Sequence, residues 1–189
     1  NFSDDHLFGT WLRTNILLSN NSDGFRRSYL LEHPFYALDA RWAAGGSFVD
    51  ENRIDSLVGE GTIADQFRTR KRVVKFYGGW SRGLAGGWAW RYLLGGTRDE
   101  SHFSPAPTQS PLTPVPADRV LVYPYVGFEL LEDEFETAKN RDQIERTEDF
   151  QLGLHLRATV GYAFPSIGSD RYAVPFSVTF GEGGHLGNR

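Results

Sequence analysis

The clearest pattern in the sequence is an alternation of apolar and polar positions between Glu148 and Phe164. Every even position from Phe150 onward is apolar, whereas the odd positions are small or polar and include His155 and Arg157. A period of two predicts a β-strand, because successive side chains of a strand point to opposite faces. The stretch is longer than an ordinary strand, and about nine to eleven tilted residues are enough to cross a bilayer.

The polar face of this stretch indicates whether the strand lines a close-packed core or a water-filled space. An unpaired arginine or histidine is costly in a close-packed core, but a water-filled lumen accommodates both. We therefore expect a transmembrane barrel strand with its apolar face toward lipid and its polar face toward the lumen. A long strand of a soluble β-sandwich, with its polar face in water, is the alternative.

The same alternation recurs along the chain and predicts about nine strands, with no helical period. We expect these strands to form an all-β, antiparallel up-and-down transmembrane β-barrel in one domain. The predicted strands are 7–18, 25–31, 36–48, 53–65, 74–81, 88–94, 120–130, 148–164 and 172–180. The predicted breaks, rich in Gly, Asn, Asp and Pro, are 19–24, 33–34, 50–52, 85–87 and 165–170.

A proline-rich stretch interrupts the alternation at about 97–118. Five prolines fall between Ser104 and Asp118, and proline cannot donate a hydrogen bond to a sheet. We expect a long loop, on the extracellular side if the chain is a barrel. A linker between two domains is the alternative, but the same alternation resumes after it, which favours one barrel segment over 1–189.

Composition narrows the class further. The chain has 189 residues, a net charge of −4 and a mean hydropathy of −0.42. The negative charge argues against a nucleic-acid partner. Apolar runs are too short for a membrane-spanning helix, although barrel strands escape such a test because half of their residues are polar. The absence of cysteine excludes a disulfide scaffold and a thiolate metal site.

The alternation also assigns side chains to two faces. Asp39 and Arg41, two positions apart, are expected to pair on the lumen face. The polar residues expected to face the lumen are Arg13, Asp39, Arg41, Lys75, Arg91, Glu129, His155 and Arg157. The residues expected to face lipid or to form aromatic girdles at the membrane boundary are Trp42, Trp80, Trp88, Trp90, Tyr92, Phe150, Tyr162, Phe164, Tyr172, Phe176 and Phe180.

No sequence motif for nucleotide binding, zinc binding or a serine nucleophile is present. We therefore expect no catalytic residue, no metal and no cofactor. Two chemical alternatives stay open. His155 could act as an acid or base with Glu129 in an outer-membrane hydrolase, and the acidic run Glu132–Glu136 could bind Ca²⁺, although charge runs are usually only solvated.

The strand count and the end of the sequence suggest a larger barrel. Bacterial barrels use an even number of strands, and an open edge in lipid leaves backbone groups unsatisfied. The odd count, together with an end at Arg189 rather than at an aromatic residue, predicts that 1–189 is part of a larger barrel, and closure by elements that the alternation does not reveal is the alternative.

Three segments resemble a known superfamily. The segments Asn15–Gly24, Glu32–Trp42 and Asp142–Gly153 are similar to barrel strands of BamA/TamA-like outer-membrane proteins, in the bacterial surface antigen branch. The resemblance implies a sixteen-stranded barrel that inserts or translocates proteins or lipids at the outer membrane. It also implies periplasmic domains in the same chain, client proteins as partners, and in some relatives a lipase domain outside this region.

One departure accompanies the resemblance. The superfamily carries a Val/Ile-Arg-Gly-Phe/Tyr element late in its barrel, and the nearest sequence here is Ser81-Arg82-Gly83-Leu84 at a predicted hairpin. No catalytic residue can be transferred. A passive porin-like channel, a barrel partnered with a hydrolase and a soluble β-sandwich binder are the alternative functions.

Overall fold

A computed structural model of the protein describes residues 1–59, 62–106, 115–139 and 147–183. The predicted all-β class is confirmed: apart from one short 3₁₀ turn at Pro165–Ile167, the regular structure described is strand. The strands are β1 (Phe2–Leu7), β2 (Leu12–Asn21), β3 (Gly24–His33), β4 (Trp42–Gly59), β5 (Thr62–Ala85), β6 (Trp88–Pro105), β7 (Arg119–Glu132), β8 (Phe135–Lys139), β9 (Thr147–Gln151), β10 (His155–Gly161) and β11 (Phe176–Gly181).

Nine of these strands form one antiparallel sheet in the order β1-β2-β3-β4-β5-β6-β7-β10-β11. Neighbours in this order are consecutive along the chain, except where β10 follows β7, so the sheet is a meander. Strands β8 and β9 pair only with each other, as a hairpin between β7 and β10. The nine-stranded sheet is not closed in the described part of the chain, where β1 and β11 are its edges.

The cross-strand register gives the sheet two chemically distinct faces. One row runs from Glu32 through Gly45, Tyr77 and Gly95 to Tyr125. We call the face that carries this row the inner face. The opposite, outer face carries the aromatic row Trp42, Trp80, Tyr92 and Phe128.

The sheet curls so that its inner face is concave. The Tyr77 hydroxyl on β5 donates a hydrogen bond of 2.8 Å to Glu32 on β3, across the intervening strand β4. This contact needs Gly45 between them, because a Cβ there would lie 2.4 Å from the Glu32 Cβ. Inner-face side chains from β3 to β11 line one cavity of about 540 Å³.

The two ends of the sheet differ in composition, and we name them by their residues. The tryptophan end carries Trp42, Trp80, Trp88 and Trp90 and includes the tight turn Gly86–Gly87 between β5 and β6. Both glycines have positive φ, +60° and +82°, which suits a two-residue hairpin turn. The arginine end, on the outer face, carries Arg68, Arg70, Arg72 and Arg98.

The prediction of one continuous strand over 148–164 is wrong. Residues 147–151 pair with β8, and the chain enters the main sheet only at His155. The break is fixed by Glu132, whose carboxylate accepts a hydrogen bond of 3.0 Å from the Leu154 N–H. At Gly153 a Cβ would lie 2.8 Å from the Glu132 carbonyl oxygen, so the backbones approach too closely for a side chain.

Two predicted breaks are strand instead. The expected turn at 50–52 lies within β4, and the expected loop from about 97 begins only after Pro105, so that β4, β5 and β6 are 18, 24 and 18 residues long. Residues 107–114 of the proline-rich loop lie outside the described residues. Both extensions carry charge on both faces, so they lack the apolar alternation that marks the rest of the sheet.

Several strand limits also differ from the prediction. Residues 8–11 form a turn, with Phe8 at φ 56°, which separates β1 from β2. β4 begins at Trp42 rather than at residue 36, and β11 begins at Phe176 rather than at 172. The turn at 165–170, the turn at 85–87 and the end of β3 at His33 agree with the prediction.

Candidate functional site: an inner-face charge cluster

The most concentrated chemistry on the inner face centres on Glu129. Glu129 on β7 lies directly opposite Arg91 on β6 and directly opposite Arg157 on β10. His155 is two residues before Arg157 and therefore on the same face. The alternation of β6, β7 and β10 thus brings four ionisable side chains together, which we call the inner-face cluster.

The carboxylate of Glu129 faces all three basic side chains. Arg91 Nη1 donates a hydrogen bond of 3.0 Å to Glu129 Oε2. His155 Nε2 lies 3.1 Å from Oε1, and Arg157 Nη1 lies 3.9 Å from the same oxygen. The Arg91 and Glu129 side chains are only 8% and 10% exposed, so this pair is largely removed from water.

A connection at the tryptophan end also anchors Arg91. Arg91 Nη2 donates a hydrogen bond of 3.0 Å to the Ala37 carbonyl, and its guanidinium carbon lies 4.7 Å from the centre of the Phe35 ring. Gly79 on β5 leaves room for this ring, because a Cβ there would lie 2.8 Å from it. The connection between β3 and β4 is therefore folded against the inner face.

A second polar group lies on the inner face near β1. Glu32 is paired with Arg13 on β2 and also accepts the hydrogen bond from Tyr77. Between this group and the inner-face cluster lies the cavity, lined in part by Lys75, Thr97 and Arg157. The inner face therefore presents charged and hydroxyl groups to one continuous concave space.

The outer face has the opposite character. Its aromatic and aliphatic side chains are exposed, with Phe76 63% and Phe176 77% accessible. The exposed apolar side chains of this face include Leu18, Tyr29, Leu31, Trp42, Val74, Phe76, Trp80, Trp90, Tyr92, Leu94, Val126, Val160, Phe176, Val178 and Phe180. Contiguous apolar surface on this scale marks an interaction surface rather than a solvated one.

Most residues expected to face the lumen share the inner face. The register puts Arg13, Lys75, Arg91, Glu129, His155 and Arg157 there. Asp39 and Arg41 are an exception: they precede β4 in the connection 34–41, and among the described residues their side chains form no ion pair with each other.

The expected lipid-facing residues divide similarly. Trp42, Trp80, Trp88, Trp90, Tyr92, Phe176 and Phe180 lie on the outer face. Tyr162, Phe164 and Tyr172 lie between β10 and β11, where their rings contact one another and both tyrosines are exposed. Phe150 is in the β8–β9 hairpin rather than in the main sheet, so its assignment to that sheet's apolar face is wrong.

Two sets of residues with a structural role were not predicted from the sequence. Phe35 and Ala37 were passed over because they lie in a break between strands, and nothing local predicts their contact with Arg91. Arg68, Arg70 and Arg72 do carry a signal, because they occupy every second position of one strand. That signal is charged rather than apolar, so a search for apolar alternation overlooks it.

The hydrolase alternative rests on the contact between His155 and Glu129. The contact expected between His155 and Glu129 is present, but three basic groups surround the carboxylate, as in a structural ion-pair network. Among the described residues, no three His, Asp or Glu side chains are grouped so as to hold a metal ion. The side chains of 135–151 are not described, so the Ca²⁺ hypothesis for the acidic run is left open.

No helix within the described ranges is long and apolar enough to cross a membrane. Comparison with family models, with curated proteins and with solved structures found no match to this chain.

Proposed function

We propose that this chain forms part of the wall of a transmembrane β-barrel in the bacterial outer membrane. The proposal rests on the polarity of the two faces, which is the reverse of that expected for a sheet in water. Between the tryptophan end and the arginine end, charged side chains are buried or lie beside a shared concave cavity, whereas large aromatic side chains are exposed on the convex face. A soluble sheet minimises exposed apolar surface, but lipid requires it.

The dimensions of the apolar surface agree with this proposal. From Val74 to Trp80 the outer face of β5 is free of charge for about 20 Å along the strand, at about 3.3 Å per residue. Outer-membrane barrels carry an apolar band of roughly 25 Å, bordered by aromatic residues. Tryptophans border one side of the band, and arginines border the other.

The ends of the strands suggest an orientation. In outer-membrane barrels the periplasmic turns are short and the extracellular loops are long. The tryptophan end carries both the two-residue turn Gly86–Gly87 and the longer connection from β7 to β10 with its β8–β9 hairpin, whereas β4, β5 and β6 all extend past the arginine end. On the length of these strand extensions, we propose that the arginine end, with the proline-rich loop after Pro105, is on the extracellular side.

For activity, we favour insertion or translocation of proteins or lipids, as the BamA/TamA resemblance implies, over passive conduction. The supporting observation is the connection 34–41, which folds against the inner face and is held there by Arg91. A passive pore needs an open lumen, and an inward-folded segment at its periplasmic mouth narrows it. Outer-membrane lipid, client proteins and periplasmic domains are the expected partners.

The proposal is tested first by folding. We expect far-UV circular dichroism to report sheet only when detergent or lipid is present, and the folded chain to migrate differently on a gel before and after boiling. A chain that folds to monodisperse sheet in buffer alone would contradict the membrane assignment, since the outer face would then be covered within a soluble protein.

Activity is tested separately, once the chain has been reconstituted. Planar-bilayer recordings should show little steady ion conductance, and deletion of the ring at Phe35 (Phe35→Ala) should raise it. High conductance in the unaltered chain would favour a passive channel. Ester hydrolysis that His155→Ala abolishes without unfolding the sheet would favour the hydrolase alternative.

A further inference from the structure

The outer face carries a basic belt directly beside the apolar band. Arg68, Arg70 and Arg72 alternate along β5, and Arg98 on β6 lies directly opposite Val74, the first apolar residue of the band on β5. These four arginines, which define the arginine end, therefore border the apolar surface along two adjacent strands.

The belt carries more positive than negative charge. Two carboxylates accompany it on the same face: Asp50, opposite Arg72, and Glu100, which pairs with Arg98. Both carboxylates are largely buried, whereas the side chains of Arg70, Arg72 and Arg98 are about half exposed. Arg27, opposite Asp50, and Asp118, beside His102, also lie at this end of the outer face, so five guanidinium groups and three carboxylates leave an excess of two positive charges.

The arginines over Asp50 have donor capacity to spare. Arg70 Nε and Arg72 Nε both lie 3.9 Å from Asp50 Oδ1, which is too long for a hydrogen bond. That oxygen has no hydrogen-bond partner among the described residues. The charge of Asp50 attracts both guanidinium groups, and because their side chains are about half exposed, their N–H donors are available to an external acceptor.

A groove in the apolar surface leads away from the belt. It has a volume of about 1020 Å³, begins beside Arg98 and runs past Leu94, Tyr92 and Trp80. Its floor is low because Gly78 has no side chain and open space above it. An extended hydrocarbon chain could lie along this floor, with its polar end at Arg98.

From this arrangement we propose that the arginine end binds the phosphate of an anionic membrane lipid whose acyl chain lies in the groove beside Arg98. Guanidinium groups match phosphate oxygens in a two-pronged geometry. Their long stems rest on apolar surface while the charge stays at headgroup level. The inference rests on the proposed membrane location, but it goes beyond it by assigning a lipid class and a site.

The test uses the full chain reconstituted in phosphatidylcholine vesicles that contain a trace of spin-labelled lipid. Electron paramagnetic resonance measures the fraction of labelled lipid whose motion the protein restricts, for phosphatidic acid and for phosphatidylcholine as labels. We expect phosphatidic acid to associate on the order of tenfold more strongly, as an excess of two basic groups near a membrane implies. High salt should reduce this preference, because the charges are exposed.

Two triple variants test whether the arginines of the belt cause the preference for phosphatidic acid. The substitutions Arg70→Gln, Arg72→Gln and Arg98→Gln together should abolish the preference. The control substitutions Arg26→Gln, Arg53→Gln and Arg119→Gln remove the same charge from the inner face and should leave the preference unchanged. Gel mobility before and after boiling verifies that each variant is folded, and the salt dependence of the unaltered chain tests the same claim if a variant is not.

The outcomes separate the two proposals. Equal restriction of both labels, or a preference that survives in the belt variant, would overturn lipid recognition while leaving membrane insertion intact. Absence of any restricted lipid with either label would overturn both, because the chain would then not contact the bilayer.

Discussion

The two faces of the nine-stranded sheet reverse the usual relation between polarity and exposure. On the inner face, Arg91 and Glu129 are about nine-tenths buried and paired. On the outer face, at the neighbouring position of each of the same two strands, the rings of Tyr92 and Phe128 contact each other at a tilt of 52°, with Tyr92 exposed and Phe128 half-buried. One backbone therefore separates two environments, and neighbouring residues of a single strand are selected for opposite properties.

This comparison shows that apolar alternation reports a difference in solvent across the sheet rather than strand structure itself. Where β5 passes between the cavity and the apolar band, Phe76 and Tyr77 alternate in character. Where it continues past Arg72, the strand persists although the alternation of apolar residues stops.

The largest expected effect is on the inner face, at the buried ion pair. Replacing Glu129 by Ala leaves Arg91 buried without its partner, which should lower the free energy of unfolding by about 3–5 kcal/mol. Chemical denaturation of the chain in lipid vesicles measures the change. The loss of Glu129 as a partner of Arg157 should contribute little to this change, because the Arg157 side chain is about half exposed.

A double substitution serves as the reference for that loss. Replacing both partners, Glu129→Leu with Arg91→Met, removes both charges and should restore most of the stability, because a buried ion pair contributes little net stability over apolar residues of similar volume. Equal instability of the single and double variants would indicate that packing, not charge, dominates at this position.

The second effect tests the outer face, through two neighbouring residues of β11. Val178 lies on the outer face and Ser177 on the inner face. Arginine at a lipid-facing position costs up to about 2–4 kcal/mol at the middle of the bilayer and less toward its surfaces, so Val178→Arg should be destabilising and Ser177→Arg should not. The same denaturation measurement applies, and similar losses for the two variants would contradict the assignment of the faces.

The third effect compares two adjacent glycines of β5. At Gly79 on the inner face a Cβ would meet the Phe35 ring, whereas at Gly78 on the outer face it would meet open space. Overpacking costs typically 1–3 kcal/mol, so about that loss is expected for Gly79→Ala, and almost none for Gly78→Ala. Trypsin should cleave the connection 34–41 faster at Arg41 in the Gly79→Ala variant only.

The smallest effect concerns an ion pair outside both faces, in the connection before β11. Arg171 and the Val120 N–H, which donates a hydrogen bond of 3.0 Å to Asp170, lower the pKa of Asp170 to about 2. Because the pKa is lowered on folding, the stabilisation is complete above the ordinary value of 3.8 and disappears as the pH falls through about 2.

Titration of the Asp170 carboxyl carbon by NMR measures this pKa directly. In Arg171→Gln the pKa should move toward 3.8, with little effect on stability at neutral pH, because the pair lies at the surface. An unchanged pKa would mean that the Val120 N–H alone sets it. The contrast with Glu129 shows how strongly burial amplifies a similar pair of charges.

Much of the sheet is predictable from sequence, because apolar alternation follows the difference in environment between its two faces. Strands β3 and β7, and the turn at Gly86–Gly87, are recovered because apolar alternation and turn residues coincide there. The common face of Arg91, Glu129 and Arg157 follows from the same period of two. The contact of His155 with Glu129 also follows, once β10 is taken as the neighbour of β7.

The rest was not predictable because its cause is not local. Nothing in residues 152–154 reveals that Glu132 holds them out of the sheet, since the apolar alternation continues through the break. Similarly, Asp50 lies in a charged run typical of a turn, although cross-strand pairing with Arg72 keeps it in β4. Pairing partners decide both cases, and those partners are distant in the sequence.

The central claim is that the aromatic outer face contacts lipid, and the tryptophans provide its most direct test. Trp42, Trp80 and Trp90 are all exposed on that face. In vesicles made with brominated phosphatidylcholine, we expect their fluorescence to be strongly quenched, while acrylamide, a quencher dissolved in the water, has little effect. Strong quenching by acrylamide with none by brominated lipid would contradict the account, because the outer face would then be in water.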